Sequence, residues 1–373
     1  MEIIMRTGNK KPPMSFWGIG PLFALFNIVV MGTALALTII YPQTFRFNVP
    51  AIAFYILGAV FDGFGLFLWI SGGKQIDACI MKGILATEGV YSIVRNLIYS
   101  GSLFVIAGIA IATQSWLLLV LLPVSYSVLK VLLRSEDSVL TNAFGEAYLQ
   151  YKTRVNAVIP NLNRLKEVFF YPVETQKISD SLYAIKNRDV NIFIYKSANH
   201  YICFDSGYGD GEVLCELANL DIDRKAIAAV FLTHSDYDHA SGVYDFTQAK
   251  LYFGKAEVPL INGKRGRFGI FYSNPKITRD FSLLEDQQTV TIDNTTIKAI
   301  YTPGHTCGHV IYQIDDEIII SGDAVIWQNH FIKPFYRFYN MNHKKALASA
   351  EYIMELEGKY LICTAHSGIV PKA

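Results

Sequence analysis

The sequence predicts a two-part chain: a four-span α-helical membrane domain over residues 1–160, then an αββα sandwich over residues 177–373. Three observations carry this expectation. Long uncharged runs fill the first part, short β-rich runs between turn residues fill the second, and all eight histidines lie at or after His200. With 51% hydrophobic and 17% charged residues, and a mean hydropathy of +0.27, the chain is too apolar for an ordinary soluble enzyme. A net charge of +1, with no basic stripe or RNA-binding motif, gives no reason to expect nucleic acid as a partner. The five cysteines, Cys79, Cys203, Cys215, Cys307 and Cys363, are odd in number and form no CxxC pair. That pattern suits free thiols in a reducing compartment.

The spans follow from the uncharged runs. Phe16–Ile40 carries no charge; it is long enough to cross a bilayer with some tilt and too long for the apolar core of a cleaved leader. Ala51–Ile70 is a second span, interrupted only by Asp62. Leu97–Ala112 and Trp116–Leu133 form a third and a fourth, joined by Thr113–Ser115. Arg6, Lys10 and Lys11 precede the first span, Lys74, Lys82 and Arg95 follow the second, and Lys130 and Arg134 end the fourth. The intervening loops carry only Arg46, so the positive-inside bias places both termini in the cytoplasm. Asp62, in the segment FDGFG, is costly in mid-span and is expected to face the bundle interior or a site.

Two cytoplasmic-side segments read GVYSIVRNLIYSG (Gly89–Gly101) and SEDSVLTNAFGEAYLQYKTRVNAVIP (Ser135–Pro160). On these motifs, residues 50–160 resemble the isoprenylcysteine carboxyl methyltransferase and phospholipid methyltransferase superfamily. The resemblance implies S-adenosylmethionine held by Arg95, Asn96, Tyr99, Glu136, Asp137 and Tyr148 beside a lipid-accessible cleft, with Phe144–Gly145 and Tyr151 completing the later motif. Two departures stand out. Asn96–Leu97 replaces the family's His-Pro, removing a ring donor, and Asp137 replaces the second Glu of its acidic pair. Methyl transfer and a purely anchoring role both stay open.

Asn161–Lys177, with mixed charge and a proline, reads as a juxtamembrane connector, giving a linker over residues 161–176. The runs 181–186, 191–196 and 200–205 then have the pattern of an antiparallel meander. A helix near Glu212–Leu220 precedes Ala226–Leu232, an apolar run of the length of a buried strand. Strands follow at Lys250–Phe253, Thr295–Tyr301 and Val310–Ile320, the last broken by a turn at Asp315–Asp316. An amphipathic helix over Asn342–Glu357 and a strand at Tyr360–Cys363 close the chain. Sheet, helix, sheet and helix in that order predict two sheets packed between helices.

The chemistry sits at strand ends. LTHSDYDHASG (Leu232–Gly242) places His234, Asp236, Asp238 and His239 just past the buried strand. Imidazole and carboxylate together suit Zn, Fe or Mn. TPGHTCGH presents His305 on the turn at Pro303–Gly304; ISGDAV carries Asp323, CTAHSG carries His366, and DSGYG begins at Asp205. In this order the residues resemble the metallo-β-lactamase superfamily across residues 177–373. The resemblance implies two divalent metals: His234, Asp236 and His305 on the first, Asp238, His239 and His366 on the second, and Asp323 between them, with His309 behind the ligands. It also implies hydrolysis, Asp238 being the catalytic carboxylate that orients an attacking hydroxide. Most members carry His where this chain has Asp236, so Fe or Mn gains ground against Zn. Flavodiiron proteins use Glu there, but no flavodoxin-like domain follows His366, which argues against an oxygen or nitric oxide reductase. His330 and Tyr336 are candidates for a substrate groove. The expected function is a membrane-anchored hydrolase of a small-molecule or lipid ester, thioester, lactone or phosphoester. The alternative is a membrane methyltransferase with an accessory metal-binding domain.

Overall fold

The computed structural model describes residues 18–47, 49–262, 266–267 and 274–373. Arg6, Lys10, Lys11 and the first two residues of the expected first span lie outside them. The chain divides into two compact units, one ending at Val168 and the other comprising Phe169–Ala373.

The first unit is helical: α1 (Gly20–Ile40), α2 (Pro42–Phe45), α3 (Ala51–Lys82), α4 (Leu97–Ala112), α5 (Trp116–Phe144) and α6 (Glu146–Arg154). Three of these helices are long and apolar enough to cross a membrane, along Gly20–Ile40, Ala51–Asp77 and Trp116–Phe144. The expected third span, α4, has 16 residues. At 1.5 Å per residue it falls short of a hydrocarbon core of roughly 30 Å. Four expected spans are therefore three helices of spanning length and one shorter apolar helix. Helices α3 and α5 also run past their expected ends, because nothing breaks either one until Gly83 (φ 64°) and Gly145 (φ 55°). Glu136 and Asp137 consequently lie on α5 itself.

Glycines let α3 and α4 touch backbone to backbone. A Cβ on Gly65 would lie 2.6 Å from the Gly101 carbonyl oxygen, and one on Gly108 would lie 2.1 Å from Asp62 Oδ1. Asp62 thus faces α4, and small residues permit the close approach. Gly101→Ala would set its Cβ 2.5 Å from the Gly65 carbonyl oxygen. The expected cost is about 1–3 kcal/mol, the usual range for overpacking, read as a lower unfolding temperature in detergent. Gly63→Ala, which meets nothing within 4 Å, is the control and should show no such loss.

The second unit has two main sheets. The first holds seven strands in sequence order: β1 (Gln176–Lys177), β2 (Leu182–Asn187), β3 (Val190–Lys196), β4 (Tyr201–Phe204), β5 (Ile227–Phe231), β6 (Lys250–Gly254) and β7 (Ser282–Leu284). It is antiparallel as far as β4 and parallel from there on. The second sheet is built from β8 (Thr289–Ile292), β9 (Thr295–Tyr301), β10 (Val310–Ile314), β11 (Ile318–Gly322), β14 (Leu361–Thr364) and β15 (Ile369–Val370), in the order β15-β14-β11-β10-β9-β8. A separate hairpin pairs β12 (Val325–Gln328) with β13 (Phe331–Pro334). The sequence reading missed this hairpin, whose turn at Asn329 and His330 holds two positive φ angles.

Apolar residues from both sheets, among them Phe204, Phe231, Val310, Tyr312 and Cys363, form the core between them. The outer face of the first sheet packs on Val213 and Leu217 of α7 (Glu212–Asn219). The outer face of the second packs on Ala350 and Ile353 of α10 (His343–Met354). Strand β5 is apolar along its length because it lies inside a sheet with both faces covered. Two short helices, α8 (Tyr237–Ala240) and α9 (Val258–Ile261), follow β5 and β6.

Candidate metal centre

Each sequence-predicted ligand of the second unit leaves a strand end. His234 follows β5, Asp236 immediately precedes α8, and Asp238 and His239 lie on α8. His305 sits between β9 and β10, Asp323 follows β11, and His366 follows β14. Their donor atoms converge in three overlapping groups: His234, His239 and Asp323; His234, Asp236 and His305; and Asp238, His239 and His366. Asp323 reaches all four imidazoles, at 3.1 Å from His305 Nε2, 3.3 Å from His239 Nε2, 3.4 Å from His366 Nε2 and 4.0 Å from His234 Nε2. Asp238 Oδ2 lies 3.2 Å from His366 Nε2 and 3.5 Å from His239 Nε2. Its side chain is the most open of the carboxylates, 18% exposed.

The imidazoles are held from behind through Nδ1. Thr233 donates its N–H (2.8 Å) and its hydroxyl (2.9 Å) to Asp205, and its Oγ1 faces His234 Nδ1 at 3.0 Å. His239 Nδ1 lies 2.9 Å from Asp205 Oδ2, His366 Nδ1 2.6 Å from the Asp189 carbonyl, and His305 Nδ1 3.3 Å from Asn340 Oδ1. A neutral imidazole that donates Nδ1–H to an oxygen aims an Nε2 lone pair inward, the form a metal needs. His309 instead accepts the Asp323 backbone N–H at 3.1 Å and orients that loop. Removing one support should be measurable: Asp205→Asn is expected to weaken metal binding roughly 10- to 100-fold, read by competition with a chelating dye.

Charge divides the cluster. Burial, and then neighbouring imidazoles, hold His234 well below the ordinary imidazole range. Burial and the Arg267 cation hold His305 down to about 4. Burial also opposes protonation of His366, yet Asp323 and Asp238 push it up to about 10. The donor set fits a divalent metal ion. The buried His234 Nε2 and Asp323 Oδ1 have no hydrogen-bond partner among the described residues, and such orphaned atoms are costly unless something binds them.

Two residues of this site escaped the sequence reading. Glu257 is fully buried before α9. Its Oε1 accepts from Ser235 N (2.9 Å) and Oγ (2.7 Å), and its Oε2 from Thr306 Oγ1 (2.8 Å) and Gly308 N (3.0 Å). It therefore ties the His234–Asp236 loop to the His305 loop. Arg267 pairs with Asp236 Oδ2. Of the groove candidates, His330 is exposed on the β12–β13 turn against Trp327. Tyr336 donates to the Phe169 carbonyl at 3.1 Å, within an aromatic cluster.

In the first unit, Arg95, Asn96, Tyr99, Glu136 and Tyr148 line one cavity, and Asp137 stands outside its lining. Arg95 donates to Asp137 (3.1 Å), Tyr148 OH (2.8 Å) and the Val155 carbonyl (3.0 Å). Asp137 also receives Lys152 at 2.6 Å. Asn96, standing where the resembled family has His, donates to the Ala157 carbonyl at 2.9 Å. Glu136 takes the Tyr99 hydroxyl at 2.9 Å on Oε1, while its buried Oε2 has no hydrogen-bond partner among the described residues.

Residues 185–366 match the family model of the metallo-beta-lactamase superfamily, and residues 49–147 match that of the phospholipid methyltransferases. Among curated relatives, a probable polyketide biosynthesis zinc-dependent hydrolase, PksB, of Bacillus subtilis is 32% identical over 33% of this chain and 49% of its own length. The human acyl-coenzyme A thioesterase MBLAC2 is 23% identical over 40% of this chain and 62% of its own. The chain spans about half the length of the first curated relatives it matches. A solved metallo-β-lactamase of Cronobacter sakazakii with a HARLDQ motif is 17% identical over 54% of this chain and 81% of its own, at a TM-score of 0.43. The chain thus joins a stretch that matches the phospholipid methyltransferases to a C-terminal part that matches the metallo-β-lactamase superfamily and brings together imidazoles and carboxylates that could hold a metal ion.

Proposed function

We propose that the second unit is a metal-dependent hydrolase acting on an acyl thioester or ester, held at a membrane by the first unit. One observation carries the reading: four imidazole Nε2 atoms and three carboxylates meet at one mouth, each imidazole fixed through its other nitrogen. His234, Asp236, Asp238, His239, His305, Asp323 and His366 form the proposed metal-binding cluster. The group around Asp238 is the most open to substrate, and zinc is favoured by the name of the Bacillus relative. A bound divalent ion supplies a water of lowered pKa and a Lewis acid for the developing oxyanion.

The chain's own residues do the rest. Asp238 Oδ2, at the exposed edge, orients the attacking water and accepts its proton. Asp323 holds His239, His305 and His366 around it. The Phe170 ring lies tilted with its centroid 4.5 Å from that of His366, and Phe335 meets His305 edge to face at 5.0 Å. Together with Tyr339 they form an apolar wall that excludes water and suits an acyl group, as the thioesterase name of MBLAC2 also suggests. Lys74, Arg95, Lys130 and Arg134 support placing both termini on the cytoplasmic side.

The test uses the full chain in detergent on a panel of thioester, ester, lactone and phosphodiester substrates. Turnover of the thioester or ester that stops on chelation and returns with zinc is expected. A folded, metal-loaded protein that hydrolyses none of them would sink the proposal.

A second reading concerns the first unit, and the orphaned Glu136 Oε2 in its cavity favours it. Glu136 is the proposed contact for the cationic amine or ribose hydroxyls of S-adenosylmethionine. Calorimetry should show binding that Glu136→Gln weakens; absence of binding to the wild-type chain would refute it.

A further inference from the structure

The guanidinium of Arg267 lies among the ligands themselves, its side chain only 2% exposed. Nη2 donates to the His305 carbonyl at 3.1 Å and to the Tyr339 carbonyl. These two backbone acceptors seat the planar group independently of any ligand side chain. From that seat Nη1 donates to Asp236 Oδ2 and lies 3.2 Å from His305 Nε2. The other oxygen, Oδ1, already accepts from Asn274 Nδ2 at 3.0 Å. Nη1 therefore uses the carboxylate oxygen and the imidazole lone pair that would otherwise turn to a metal beside His234. An ion drawing on the same two atoms would set two cations side by side in a dry site, where their repulsion is little screened.

The other half of the cluster is different. Asp238 Oδ2 and Asp323 Oδ1 face His239 and His366, while Asp323 Oδ2 turns to His305, and among the described residues neither carboxylate pairs with a lysine or arginine. Among the described residues, the carboxylates of that side have no permanent cation against them. A guanidinium keeps its charge at every working pH and cannot be chelated away.

We infer that Arg267 is the resident cation of the Asp236–His305 side, so that this chain binds one divalent ion, at Asp238, His239, His366 and Asp323, instead of two. The inference rests on the reading of these side chains as a metal site. It also gives Asp236 a function other than ligation: its carboxylate anchors the arginine beside the ion.

The test is metal stoichiometry by elemental analysis of the full chain in detergent, loaded with zinc and stripped of loosely held ions. The wild type should hold one zinc per chain. Arg267→Met, which keeps length and loses charge, should rise toward two, while Arg267→Lys stays at one. If Arg267→Met loses its fold, Arg267→Gln, which retains a donor for the carbonyls, takes its place. Two zinc ions in the wild type, or one in a folded Met or Gln variant, would overturn the inference and leave the hydrolase reading standing. No zinc in the wild type would overturn both.

Discussion

Replacing Asp323 by alanine is expected to strip the second unit of metal and to lower hydrolysis more than about 100-fold, the upper range for residues that only orient a ligand. Asp323 is the one carboxylate within 4.0 Å of all four Nε2 atoms. Without it, four buried imidazoles face one another with only peripheral acids to balance a bound cation. Its loop should survive the change, because the His309 contact is made to its backbone N–H. Elemental analysis and turnover, with circular dichroism as the folding control, test this. Retained metal and a rate within tenfold of wild type would remove Asp323 from the ligand set.

The second large effect is expected at Glu257, whose side chain is fully buried. Glu257→Ala leaves two hydroxyls and two backbone N–H groups of Ser235, Thr306 and Gly308 without their buried acceptor. Each unsatisfied donor costs about 1–3 kcal/mol, so a loss of roughly 4 kcal/mol or more is expected, large for any single substitution. Glu257→Gln can still accept two of these bonds, but its NH₂ meets the Gly308 N–H, so an intermediate loss is expected. Thermal unfolding of the full chain in detergent ranks the three proteins. Equal unfolding temperatures for wild type and the Ala variant would show that the tie between the loops contributes nothing.

The strands and the strand ends were the legible part of the second unit. Ala226–Leu232 reads as a buried strand because seven apolar residues in a row have no polar face to show solvent, and β5 lies there. Asp315–Asp316 reads as a turn, and both residues adopt positive φ between β10 and β11. The β12–β13 hairpin was not legible, because its turn residues Asn329 and His330 carry no glycine to mark it. In the first unit the uncharged runs located the helices but not their ends. Residues such as Arg134–Phe144 continue a helix without being apolar, and only Gly145 stops it.

The sequence alone was enough to locate the long helices and most of the core strands, and to place His234, Asp236, Asp238, His239, His305, Asp323 and His366 each at or near a strand end. Periodicity and composition encode which face of an element is buried. Tertiary structure alone decided what stands behind those residues. Glu257 meets Ser235 and Thr306, Asp205 meets His239, and Arg267 meets Asp236 only because the two sheets stack with these strand ends together. Such partners come from loops without any repeating pattern, and their identity depends on distances between segments far apart in the chain. For that reason Asp236, read from the sequence as a metal ligand that shifts metal preference, acquires a neighbouring cation only in the folded protein.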